Sequence, residues 1–184
     1  MKKVIVFLAD GFEEMEAMGT VDVLRRGGIE VKTISIMENS FVTGAHNVQI
    51  KADETLSDLD INALEADAVV LPGGMPGAKN LNENSVVKET VLSFYRENKL
   101  VAAICAAPMV LGGLGLLKNR KATCYPGFED TLTGAATAGN PVETDGNVIT
   151  GKGPGFVYQF ALAIVAYLKG NDVAEEVAGG LLLQ

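Results

Sequence analysis

Short runs of apolar residues alternate with amphipathic stretches along almost the whole chain. Lys3–Leu8 is nearly all apolar, as a parallel strand covered on both faces must be. Asp10 to Glu13 then reads as a helix start, with Asp10 as N-cap and Glu13 three places on. The helix runs to about Arg26 and stops at Gly27-Gly28. Glu30–Ile36 alternates as a second strand, and Phe41–Lys51, with Gly44 inside it, predicts a β-hairpin. Ala68–Leu71 and Leu100–Ile104 are further buried strands. They are followed by helices over Asn84–Asn98 and Ala106–Leu117. Ala122–Tyr125 predicts a short strand, and Val142–Thr150 predicts two strand pieces around Asp145-Gly146. Pro154–Leu168 predicts a helix with proline in its first turn, and a short helix closes the chain from Val173.

This order predicts an α/β fold: a mostly parallel sheet with helices on both faces, plus a small hairpin. No repeat or linker interrupts residues 1–184, so one domain is expected. Sites in such sheets form beyond the carboxyl ends of the strands. Three segments fall there: Asp10–Glu16, Pro72–Gly77 and Cys105–Pro108.

Composition narrows the function. The chain is 48% hydrophobic, and 15 Lys plus Arg against 23 Asp plus Glu give a net charge of -8. That sign argues against a nucleic-acid or anionic-membrane surface. Leu100–Leu117 carries no charge, but Pro108, Gly112, Gly113 and Gly115 break it as a membrane span. Asp10 interrupts the first apolar run too early for a secretory leader, so a cytoplasmic protein is expected. Two cysteines and one histidine, His46, are too few soft ligands for a structural zinc site. A disulfide is conceivable, but nothing suggests secretion.

The chemistry concentrates at Cys105, which directly follows a buried strand. Ala103 and Ala107, two positions either side, leave room for a tight strand-to-helix turn, the steric requirement of a nucleophile elbow. The start of the next helix would favour thiolate there. The alternative is a buried structural cysteine. Glu16 shares a stripe with Phe12, Gly19 and Val23, so its carboxyl should be partly desolvated and its pKa raised. Such a group can shuttle a proton near neutral pH. Glu13 has a capping role and Glu14 no evident one. In Pro72–Gly77, the Gly74 N–H, with that of Ala106, could form an oxyanion hole, although a plain turn is the simpler reading. Gly151–Gly155 reads as a strand-to-helix turn rather than an anion site. Cys124, Met15 and Met18 are expected in the core and His46 on the surface.

Several segments carry a family resemblance: Asp10-Gly-Phe-Glu-Glu-Met-Glu16, Val21-Asp-Val-Leu-Arg-Arg26, Val70-Leu-Pro-Gly-Gly74, Ala102-Ala-Ile-Cys-Ala106, Gly153-Pro-Gly155 and Phe160-Ala-Leu-Ala-Ile-Val165. In order along the chain, they resemble the ThiJ/PfpI superfamily, in the branch of the Parkinson-disease-associated protein deglycase. The resemblance implies a flavodoxin-like three-layer sandwich, a homodimer, and no metal or organic cofactor. It places the nucleophile on Cys105, its acidic partner on Glu16, and the backbone donors on Gly74 and Ala106. Gly73, Tyr125 and Pro126 would line the pocket. Many members carry histidine where this chain has Tyr125, so a Cys–His dyad and peptidase activity are in question. The implied activity is cysteine-dependent chemistry on methylglyoxal, glyoxal or glycated adducts. Oxidation sensing or a redox-regulated chaperone role is the alternative, and cysteine hydrolysis a lesser one.

Overall fold

The computed structural model describes residues 1–58 and 65–183. Its centre is a seven-stranded sheet in the order β5-β2-β1-β6-β7-β9-β8. The strands are β1 (Lys3–Leu8), β2 (Glu30–Ser35), β5 (Glu54–Thr55), β6 (Ala68–Leu71), β7 (Leu100–Ile104), β8 (Val142–Asp145) and β9 (Val148–Gly151). All neighbours pair parallel except β8 with β9, a hairpin turning through Gly146 at φ 60°. Strands β6, β7 and β9 are buried at every residue, because helices cover both faces. A separate two-stranded hairpin, β3 (Phe41–Thr43) with β4 (Gln49–Lys51), is the one predicted from the sequence.

The helices form two groups. Helices α1 (Glu14–Arg26), α5 (Val157–Lys169) and α6 (Asn171–Gly180) pack together in sequence. Helices α2 (Gly77–Glu83), α3 (Ser85–Arg96) and α4 (Pro108–Gly113) form the other group, and β7 touches members of both. The result is a three-layer, flavodoxin-like sandwich. No described helix is long and apolar enough to cross a membrane.

Several local expectations change. Asp10 does not cap α1: its Oδ1 accepts the Thr43 N–H at 2.8 Å and ties the hairpin down. Glu13 is the cap instead, accepting the Glu16 N–H at 2.7 Å. The segment Ala122–Tyr125 forms no strand. Its N–H groups scatter to Ala136 O, Thr150 Oγ1 and Cys105 O, and the free edge of β9 is taken by β8. The helix after Cys105 lasts six residues rather than reaching Leu117. Gly112 and Gly113 lie at its end, and Gly115, at φ 73°, turns the chain out of it. Helix α2 and the two-residue strand β5 are too short to leave a periodic signal. Met15 is 59% exposed, and Met18 only half-buried, so Met15 is not core. Gln184, the end of the expected tail, lies outside the described residues.

Candidate active site at the end of strand β7

Strand β7 ends at Ile104, and Cys105 then takes φ 65°, a left-handed conformation that a side chain rarely adopts. Such a residue costs of order 1–3 kcal/mol unless its surroundings hold it there. Its surroundings do. Cys105 N–H donates to Gly151 O at 2.9 Å, and its carbonyl accepts from Tyr125 N–H at 2.8 Å. Ala106 and Ala107 are buried beside it.

Glu16 comes to the same point from α1. It is fully buried, at 0% exposure. One oxygen, Oε2, accepts the Gly73 N–H at 2.8 Å; the other, Oε1, has no ordinary hydrogen-bond partner among the described residues. Gly73 makes the approach possible. A Cβ added to it would sit 2.5 Å from Cys105 Cβ and 2.7 Å from Glu16 Oε2, so only glycine lets the two side chains meet. Glu13 completes the lock. Its side chain holds the Glu16 N–H, and its own N–H donates to Gly73 O at 2.9 Å.

Electrostatics couples the pair. Burial pushes the Glu16 carboxyl up to about 7, while the nearby thiol and the Gly73 N–H oppose that rise and the Glu13 charge adds to it. Burial also pushes the Cys105 thiol up to about 12, and the Glu16 charge pushes the same way. The N–H groups of Gly74 and Ala106 both act as donors toward the sulfur and pull its pKa down, but burial outweighs them. This corrects the expectation of a resting thiolate stabilised by a helix end. Helix α4 is short, and the neighbouring carboxylate repels a second negative charge. The two groups are coupled, and the charge on one raises the proton affinity of the other.

Cys105, Glu16, Gly73, Gly74 and Ala106 therefore meet at one place. Residues 2–167 match the model of the DJ-1/PfpI family. The chain belongs to the DJ-1/PfpI family. Protein DJ-1 homolog B of Arabidopsis thaliana is 39% identical over 185 residues, covering 100% of this chain but 42% of that protein. The chain thus spans less than half of that plant relative. The Parkinson disease protein 7 homolog of Danio rerio is 39% identical over 100% of this chain and 98% of its own length. Deglycase PfpI of Pyrococcus furiosus is 35% identical over 91% and 99%. Among solved structures, a cysteine-to-alanine mutant of a DJ-1 superfamily protein from Salmonella typhimurium superposes with a TM-score of 0.94 at 41% identity, covering 100% of both chains. An oxidized DJ-1 from Toxoplasma gondii gives 0.94 at 34% identity, covering 99% and 98%.

In this DJ-1/PfpI chain, the remaining candidates divide. Tyr125 is tied by its backbone to Cys105, and its ring lies against Gly153 and is 46% exposed. Pro126 instead lines a cavity with Cys124. Both cysteines are free. His46 is exposed, as expected, and its Nδ1 lies 2.8 Å from Glu14 Oε2. Sequence reasoning missed the role of Glu14. It also accepts the His46 N–H at 2.7 Å and so fastens the hairpin to the start of α1. No periodic signal could have exposed a contact across 32 positions. Glu13, Glu14 and His46 have ligand atoms within 4.8 Å of one another, the one grouping with metal-ligand spacing among the described residues. Both Glu14 oxygens are already committed to His46.

Proposed function

We propose that the protein converts small reactive aldehydes such as methylglyoxal and glyoxal, including those released with loss of the free amine from their early glycated adducts, to 2-hydroxy acids. Glu16 as carboxylate takes the Cys105 thiol proton while the sulfur attacks the aldehyde carbon, giving a hemithioacetal. A carboxyl with a pKa of about 7 suits that exchange near neutral pH. The Gly74 and Ala106 N–H groups steady the oxyanion. Glu16 returns the thiol's proton to that oxygen and, as carboxylate again, moves a proton from the former aldehyde carbon to the adjacent carbonyl carbon while the hydroxyl proton passes to the neighbouring oxygen, leaving a 2-hydroxy thioester. Water cleaves that thioester, releasing the 2-hydroxy acid and restoring the thiol. A buried carboxyl facing a cysteine in a left-handed elbow carries this reading. The deglycase name of the Pyrococcus furiosus relative supports it. The chemistry needs no metal or organic cofactor, and we place the protein in the cytoplasm as a homodimer.

The test is lactate release from methylglyoxal by purified protein without glutathione. Cys105→Ala should abolish it, and normal turnover in that variant would reject the mechanism. A second reading, an oxidation sensor, draws on the same N–H donors, which would hold sulfinate oxygens on Cys105, and on protonated Glu16 as a further donor. Mass spectrometry after mild peroxide separates the two cysteines: oxidation of Cys124 before Cys105 excludes it. A PfpI-like hydrolase is the weakest reading, because the chain's single histidine is engaged with Glu14.

A further inference from the structure

The start of α1 and the turn of the β3–β4 hairpin bring three ligating side chains to one corner, outside the Cys105–Glu16 pair. A ring nitrogen of His46 and one carboxylate oxygen each of Glu13 and Glu14 lie within 4.8 Å of one another. Glu14 is held in this corner by the turn: its Oε1 accepts the His46 N–H at 2.7 Å, and its Oε2 faces His46 Nδ1 at 2.8 Å. The His46 side chain is 72% exposed, so its ring has room to adjust.

Glu13 sets this group apart from an ordinary surface pair. It is 8% exposed, yet among the described residues it forms no ion pair, and no Lys or Arg reaches Glu14 either. Its Oε2 is taken by the Glu16 N–H, while Oε1 accepts no hydrogen bond among the described residues. Unlike Glu16 Oε1, that oxygen is not sealed off, so an ion can reach it. A carboxylate buried this deeply calls for a cation facing it. The single imidazole does not meet that need, because Glu14 already holds it.

We propose that Glu13, Glu14 and His46 bind one divalent ion of the zinc class, with water completing its shell. Three protein ligands and an open fourth place form a regular zinc set, and imidazole with carboxylate suits zinc better than the all-oxygen shells of calcium and magnesium. Two ligands of a tetrahedral zinc lie roughly 3.3–3.5 Å apart. Glu14 and His46 are closer than this because they share a proton. The ion replaces that proton, and the exposed ring moves out by about half an ångström to admit it. Neither Cys105 nor Glu16 belongs to the ligand set, so the ion fastens the hairpin to α1 and takes no step in the aldehyde chemistry.

The experiment is calorimetric titration of the 184-residue chain carrying Cys105→Ala and Cys124→Ser, so that no thiol competes for zinc. Zinc chloride should bind saturably at one ion per chain, with magnesium chloride about tenfold weaker or more. His46→Ala and Glu13→Gln should each weaken zinc by about tenfold or more, since loss of even an outer partner of a metal ligand costs about 10–100-fold. Glutamine at position 13 keeps an oxygen for the Glu16 N–H, so it removes the charge and leaves the cap. His46 is the chain's one histidine, so its ring resonances are unambiguous, and saturating zinc should shift them. No saturable binding, zinc affinity unchanged by His46→Ala, ring resonances unmoved at saturation, or magnesium equal to zinc would each overturn the proposal. The ring resonances are read without any substitution at the corner, so they decide the matter even if a variant misfolds. None of these readouts involves aldehyde turnover, so they stand or fall apart from the proposed reaction.

Discussion

Glu16 shows how burial turns an ordinary side chain into a proton carrier. Its folded pKa of about 7 lies above the usual 4.5, so the folded protein holds that proton more tightly than the unfolded chain. The associated stability is fully present below pH 4.5 and is lost as pH rises through 7. The size is on the order of 3 kcal/mol. Glu16→Gln should reduce this slope: between pH 5 and 8 the stability of the variant should fall less than that of the parent. The same variant should lose aldehyde turnover, because an amide cannot take the thiol proton. Gly73→Ala tests the meeting point itself. With backbone and carboxyl atoms so near the new methyl, we expect a loss of about 1–3 kcal/mol in urea unfolding and turnover below detection. Much of this was legible in the sequence: Ala103, Cys105 and Ala107 carry the steric signature of the turn, and Glu16 falls on an apolar stripe. The thiol's ionisation was not, because it depends on burial and on a carboxylate 89 positions away in the chain.

At the scale of elements, the site depends on how the hairpin and the first helix are joined. Asp10, Glu14 and the backbone of residues 11 and 12 all bond to the stretch from Thr43 to His46. Glu14→Ala removes the bonds to the His46 N–H and ring. Amide exchange at His46 should then rise several-fold, consistent with one lost charge-assisted bond, while exchange in β7 stays unchanged. Equal acceleration in β7 would mean that Glu14 supports the whole sheet. The long, strongly patterned elements were readable because each carries several turns or a full strand of apolar signal. Helix α2, strand β5 and the extended run from Ala122 to Tyr125 were misread or missed. A short run without a sustained apolar pattern takes its conformation from the partners its backbone finds.

At the scale of the molecule, α5 clamps the sheet behind the elbow. Phe160 is fully buried on α5, and its ring packs against Gly151, the residue whose carbonyl receives the Cys105 N–H. Phe160→Ala should cost about 3–5 kcal/mol in urea unfolding. It should lower turnover as well, since the cavity lies one residue contact from the strained turn. An unchanged midpoint would show that the core relaxes into the space.

The amino-acid sequence by itself determined the order of strands and helices, the parallel sheet and the position of the elbow. Those follow from apolar periodicity and from small residues beside Cys105, which act within a few positions of themselves. Tertiary structure decided which proton the thiol keeps, what Glu13 and Glu14 do, and that Pro126 joins Cys124 rather than Cys105. Each of these rests on desolvation and hydrogen bonds between segments far apart in the chain. Such interactions come into being only when the sheet brings the segments together.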